Sequence, residues 1–196
     1  MSGESVEGQA AAYARPKVRQ RPAPLWRWNL RKNILFLMTV SLVVLIDQWS
    51  KAWILSTLEL HHSFAVIGGF FNITYVRNPG AAFGFLAGAP PIFRYFFFLA
   101  VTVAAILFIL HYLRTTRKED VLLVFSLALI LAGAVGNLVD RLRFGEVVDF
   151  LDVYVGSYHW PAFNVADAAI STGAAVLILV LLGRRKDKTN GDALGG

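Results

Sequence analysis

Five aspartates stand where apolar stretches of this chain end or begin: Asp47, Asp140, Asp149, Asp152 and Asp167. Ionisable groups in or beside such stretches are costly, and by default they mark a functional site. Two carboxyl groups brought face to face suit peptide hydrolysis. Like charges a few ångströms apart do not both ionise, so the pair holds one proton between them. The ionised member takes a proton from water while the protonated member hydrogen-bonds the scissile carbonyl. Low-dielectric surroundings widen the separation of the pair's two apparent pKa values.

Simpler roles compete for each acid. Asp47 and Lys51 are i and i+4, so they can form an ion pair on one helix face that holds the fold. Asn137, Asp140 and Arg141 are i, i+3 and i+4, which gives Asp140 a local partner in Arg141. Gly133 and Gly136 precede them and permit close helix approach. Asn164 and Asp167 are i and i+3 at a helix start, where a carboxylate caps free amides and meets the positive end of the dipole. Asp149, Asp152 and Asp167 have no such local cation. If residues 147–155 form a strand, Asp149 and Asp152 point to opposite faces, so at most one of them readily faces Asp167. The spacing does not say which.

Other chemistries find no support. The histidines, His61, His62, His111 and His159, show no HExxH spacing. No serine sits in a GxSxG context, and neither a Walker loop nor a GxGxxG element is present. No metal and no cofactor are therefore expected. Cysteine is absent, which removes thiol nucleophiles, thiolate metal sites and disulfides together.

The elements that must position these acids are membrane helices. The 196 residues are 56% hydrophobic and 16% charged, against about 45–50% apolar and about 25% charged in a soluble domain. Apolar runs at about 33–54, 95–113, 121–139 and 165–183 each approach the ~20 residues that cross a bilayer. The net charge of +6 is not a nucleic-acid signal. Its basic residues gather at Arg15–Lys32, at Arg114, Arg117 and Lys118, and at Arg184–Lys188, each beside the end of an apolar run. With four spans all three clusters fall on one side, which the positive-inside rule makes the cytoplasm. The five aspartates then fall on the outer side. A transporter or channel would place ionisable groups at several depths, whereas the middles of the second and third spans are apolar, which argues for a reaction at the surface.

Residues 1–32 read as a basic cytoplasmic tail, expected to be disordered, with Trp26 and Trp28 as an interfacial anchor. A secretory signal peptide would also begin this way, but no small-x-small cleavage site follows the first apolar run, so a retained span is expected. Residues 184–196 read as a cytoplasmic C-terminal tail. Between spans, His62–Val76 suggests short strands or a hairpin about Gly68-Gly69, Asn78-Pro79-Gly80 a turn, and Glu146–Val155 an extended segment. The predicted fold is membrane α-helical: four transmembrane helices with a small extracytoplasmic β-containing cap.

Four blocks of residues carry a family resemblance. They are Asp47-Gln-Trp-Ser-Lys51, Asn78-Pro-Gly-Ala-Ala-Phe-Gly84, Gly133-Ala-Val-Gly-Asn-Leu-Val-Asp-Arg141, and Val148-Asp-Phe150 followed by Phe163-Asn-Val-Ala-Asp167. In this order the chain resembles, over roughly residues 33–183, the type II, or lipoprotein, signal peptidases of bacteria. The resemblance implies an aspartic endopeptidase whose catalytic pair is Asp149 and Asp167, with Asp152 a bystander. It gives Asp47, Lys51, Asn78, Gly133, Asn137, Asp140, Arg141 and Asn164 supporting or substrate-binding roles, with Asn78 and Arg141 on the substrate backbone. The implied substrate is a prolipoprotein, cleaved just before its diacylglyceryl-modified lipobox cysteine. The expected setting is the bacterial cytoplasmic (inner) membrane, with both termini cytoplasmic and the site at the outer face. Membrane lipid is an expected partner, nucleic acid is not, and the unit is expected to be a monomer.

Overall fold

The computed structural model describes residues 30–80, 85–115 and 120–194. Trp26 and Trp28, nearly all of the predicted N-terminal tail, Ala81 to Gly84 of the turn block, and Arg117 and Lys118 lie outside them. The described chain runs as helix α1 (Leu30–Thr57), strands β1 (Ser63–Ile67) and β2 (Phe71–Asn78), helices α2 (Pro91–Thr115) and α3 (Val121–Phe144), strands β3 (Val147–Val155) and β4 (Tyr158–His159), and helix α4 (Val165–Leu194).

Three stretches among the described residues are long and apolar enough to cross a membrane: Pro91–Leu113, Val121–Phe144 and Val165–Arg184. Helix α1, at 28 residues, is also long enough at about 1.5 Å per residue, but Asp47, Gln48 and Lys51 occupy its later turns. All four helices run beyond their predicted spans, and α4 continues to Leu194 through residues that composition alone leaves as a tail. The apolar runs mark what lipid requires, while backbone hydrogen bonding carries a helix further into water.

Helix α3 is the hub, packed against the other three helices. Its buried residues, among them Leu123, Leu127, Ala128 and Ala132, run most of its length. Helix α2 instead turns Phe93, Phe96, Leu107 and Phe108 outward, as a lipid-facing helix does. Small residues let α3 and α4 approach closely. A Cβ on Gly133 would lie 2.2 Å from the Ala166 carbonyl oxygen, and one on Gly173 2.7 Å from that of Ser126. At the end of the bundle away from β1–β4, Lys32 Nζ donates to the Leu113 carbonyl and Arg184 pairs with Asp120 at 2.6 Å.

The predicted extended segments form one antiparallel sheet in the order β1-β2-β3-β4. The hairpin pairs Ser63 with Thr74, and β2 pairs Val76 with Asp149 and Asn78 with Val147. A register shift between Ile73 and Val76 interrupts the β2 ladder, as an inserted residue does. Helix α3 ends at Gly145, whose φ of 77° suits glycine and whose amide donates to the Arg141 carbonyl at 3.0 Å. The chain passes directly from that cap into β3, so the sheet is joined to the hub helix a few residues before Asp149.

Candidate active site

Asp149 and Asp167 reach the same place from different elements. Asp149 projects from β3 and is 2% exposed, whereas Asp167 sits half-buried in the first turn of α4. Asn164 begins that helix with reciprocal capping: its Oδ1 accepts from the Asp167 amide at 2.9 Å, and Asp167 Oδ2 accepts from the Asn164 amide at 3.3 Å. The capping role and the site role of Asp167 coexist, because its Oδ1 remains for the Asn137 side-chain amide, which donates at 2.8 Å.

Three asparagines hold the two carboxylates. Asp149 Oδ2 accepts from Asn78 Nδ2 at 3.0 Å and its Oδ1 from Asn164 Nδ2 at 2.7 Å. Asn164 Nδ2 also lies 3.2 Å from Asn137 Oδ1. Asn137 and Asn164 thus form a bridge with Asp149 at one end and Asp167 at the other. Neutral donors on an ionisable group leave it able to exchange a proton, which a tight cation partner would prevent. Burial, followed by the nearby charge of Asp167, raises the Asp149 pKa to about 7, against the opposing hydrogen bonds of Asn78 and Asn164 and the charge of Lys51. This carboxyl can hold a proton at neutral pH.

Behind the asparagines lies a buried ionic cluster. Lys51 Nζ is 2.9 Å from Asp47 Oδ2, 2.9 Å from Asp140 Oδ2 and 3.1 Å from Asn137 Oδ1, so its three protons each have an acceptor. The Asp47–Lys51 pair expected from i, i+4 spacing is present. Asp140 does not pair with Arg141, the partner suggested by sequence: successive helix positions diverge by about 100°, and Asp140 turns to Lys51 instead. Arg141 donates from Nη2 to the Gly80 carbonyl at 2.8 Å and lies over the Phe98 ring, 4.0 Å from its centroid.

The glycines make room for this arrangement. Gly133 admits the Ala166 main chain, and a Cβ on Gly136 would fall 2.6 Å from Asp47 Oδ2. Asp152 points away from the pair. It accepts from Asn72 Nδ2 at 2.8 Å and meets His159 Nδ1 at 2.8 Å, a partner that helical spacing could not reveal because the strand pairing of Tyr154 with His159 supplies it. Among the described residues no three histidine or acidic side chains converge to hold a metal ion.

The sequence reading missed Gln48. Its Nε2 lies 3.1 Å from Asp47 Oδ2, 3.0 Å from Asp140 Oδ1 and 3.2 Å from the Gly136 carbonyl. Position i+1 from Asp47 places it off the Asp47–Lys51 face, which is why face arguments leave it out. Only its length and two terminal donors hint that it can reach across to α3.

Comparison with known proteins places the chain in a family. The family model for signal peptidase (SPase) II matches residues 39–183. A lipoprotein signal peptidase of Syntrophus aciditrophicus (strain SB) is 60% identical over 156 residues, covering 80% of this chain and 97% of that protein. One of Desulforapulum autotrophicum is 51% identical over 150 residues, covering 76% and 93%. Among solved structures, a bacterial membrane enzyme determined by the in meso method at 2.3 Å superposes with a TM-score of 0.70 at 35% identity, covering 79% of this chain and 90% of that one. With more than half its length matched by the family model and a carboxylate pair assembled beside apolar helices, this chain belongs to the signal peptidase II family of membrane peptidases.

Proposed function

We propose that the protein removes signal peptides from prolipoproteins, cutting just before the diacylglyceryl-modified lipobox cysteine, with Asp149 and Asp167 as its catalytic pair. The observation that carries this reading is the Asn137–Asn164 bridge, which brings two carboxylates from β3 and α4 together without a cation on either. Asp149, with its pKa raised to about 7, is the member that holds the shared proton and hydrogen-bonds the scissile carbonyl. Asp167, less buried, is the base that takes a proton from water. The amine of the lipid-bearing product then receives a proton from the pair, which returns to its starting state. Asn78 and Arg141 flank the pair, and Arg141 Nε is buried without a hydrogen-bond partner among the described residues, so it has a donor to offer the substrate backbone.

The same proposal includes the setting. Four helices span the bilayer, α1 included, and the enzyme works as a monomer in contact with lipid. The site and the sheet lie at one end of the bundle, and Lys32, Asp120 and Arg184 at the other. Both chain ends are cytoplasmic and the pair faces outward, where a lipid-anchored substrate presents its bond without leaving the membrane. Cysteines placed at Ser63 and Ser157 are expected to react with an impermeant thiol reagent from outside intact cells. Labelling only after the cytoplasm is opened would invert this topology.

The pH dependence tests the catalytic assignment. Above about pH 7 the Asp149 proton is lost, both carboxylates ionise, and no acid remains for the carbonyl. At the acid side the pair takes a second proton and loses its base. With a diacylglyceryl-modified lipobox peptide, kcat/KM is expected to fall about tenfold per pH unit above the upper apparent pKa. A rate flat between about pH 6 and pH 9 would exclude a shared-proton pair. The unmodified peptide, run in parallel, should be cleaved far more slowly.

A further inference from the structure

We infer that Gln48 is a positioning residue for both carboxylates: it ties together the two buried acids that grip the main chain one residue before each of them. Asp47 Oδ1 accepts from the Ala166 amide at 2.9 Å, and Ala166 immediately precedes Asp167. Asp140 Oδ2 accepts from the Val148 amide at 3.1 Å, and Val148 immediately precedes Asp149. Asp47 belongs to α1 and Asp140 to α3, so the strand and the helix that carry the pair are each anchored to a different transmembrane element.

Something must fix those anchors relative to one another, and two groups do. Lys51 bridges Asp47 and Asp140 by charge. Gln48 bridges the same carboxylates by hydrogen bonds and adds a third contact to the Gly136 carbonyl. An ammonium is a point charge with rotatable donors, whereas an amide is planar and directs its two hydrogens. Lys51 therefore offsets one of the cluster's two negative charges, and Gln48 sets its angles. The lever is short: a carboxylate that turns takes the Val148 or Ala166 amide with it, and the next side chain along is a member of the pair. Gly136 closes the cluster from α3, since a Cβ there would press on Asp47 Oδ2 at 2.6 Å.

The inference rests on the dyad reading above and is tested so that the two fail separately. Gln48→Met keeps volume and net charge and removes the bridge; Gln48→Asn keeps the amide but is too short to reach Asp140, and serves if the first variant folds poorly. Displacement of the pair by a fraction of an ångström to an ångström is expected to lower kcat by about 10²-fold with KM within about twofold of parental. Leu123→Ala, in the core cluster with Phe36 and Ile109 and roughly 25 Å from Asp140 along α3, is expected to lower Tm while leaving kcat per folded molecule unchanged. If both Gln48 variants turn over at the parental kcat while Asp149→Asn is inactive, Gln48 is mere packing and the inference falls alone. If Asp149→Asn cleaves at the parental rate, the dyad reading falls and takes this inference with it.

Discussion

Asp149→Asn and Asp167→Asn are each expected to fold and to lose cleavage by about 10²–10⁴-fold, the scale of a lost general acid or base. Folding should survive because the substitution is isosteric and, in a pair that shares one proton, removes at most one charge that the buried site does not neutralise directly. The local cost at Asp149 comes from its partners. Asn78 Nδ2 and Asn164 Nδ2 both donate to it, so an amide at 149 sets one donor against another. Asn78 cannot turn its own amide without losing the bond its Oδ1 accepts from the Gly80 amide at 3.0 Å. One unmade hydrogen bond costs about 1–3 kcal/mol, which lowers Tm without unfolding the protein. Rates per folded molecule then isolate the chemistry. Asp152→Asn, on the opposite side of β3 with Asn72 and His159 for partners, should cleave at close to the parental rate. Equal loss in all three variants would point to damage of the sheet rather than to a catalytic pair.

Lys51→Met is expected to destabilise the fold by about 3–5 kcal/mol, the cost of breaking a buried ion pair from one side. Asp47 and Asp140 are 0% and 1% exposed, and without the ammonium their carboxylates face one another across a dry cluster. The amides of Ala166 and Val148 and the side chain of Gln48 remain as donors, which keeps the loss from being larger. Asp47 also sits at the first turn of α4, where the helix dipole favours its charge. Thermal unfolding in detergent micelles, followed by tryptophan fluorescence, checks this. A Tm equal to the parental value would mean that Lys51 carries no stabilising charge and that the cluster is held by hydrogen bonds alone. Adding Asp140→Asn to Lys51→Met should recover part of the loss, because it removes one of the two stranded charges.

Much of this arrangement is legible in the sequence wherever one element suffices. Helical spacing pairs Asp47 with Lys51 and places Asn164 beside Asp167, and all of these contacts are present. Alternation in residues 147–155 separates Asp149 from Asp152, and β3 does so. What spacing cannot supply is the choice between them, because it depends on Asn78 from β2 and Asn164 from α4 converging on one side of the strand. The Asp140–Lys51 pair is invisible for the same reason, joining α1 to α3 across 89 positions of sequence. Composition likewise sets the apolar runs but not the helix ends, which depend on caps such as Gly145 and Asn164. Gln48 escapes notice because its function lies in bridging two acids that are adjacent only in space.

Cleavage by the purified parental protein is the most direct measure of the proposed reaction. A peptide bearing a lipobox with a diacylglyceryl-modified cysteine is incubated in micelles with the folded enzyme, and the products are weighed by mass spectrometry. The expected result is two fragments severed on the amino side of the modified cysteine. An intact peptide, or a cut at any other bond, from protein shown to be folded would contradict it.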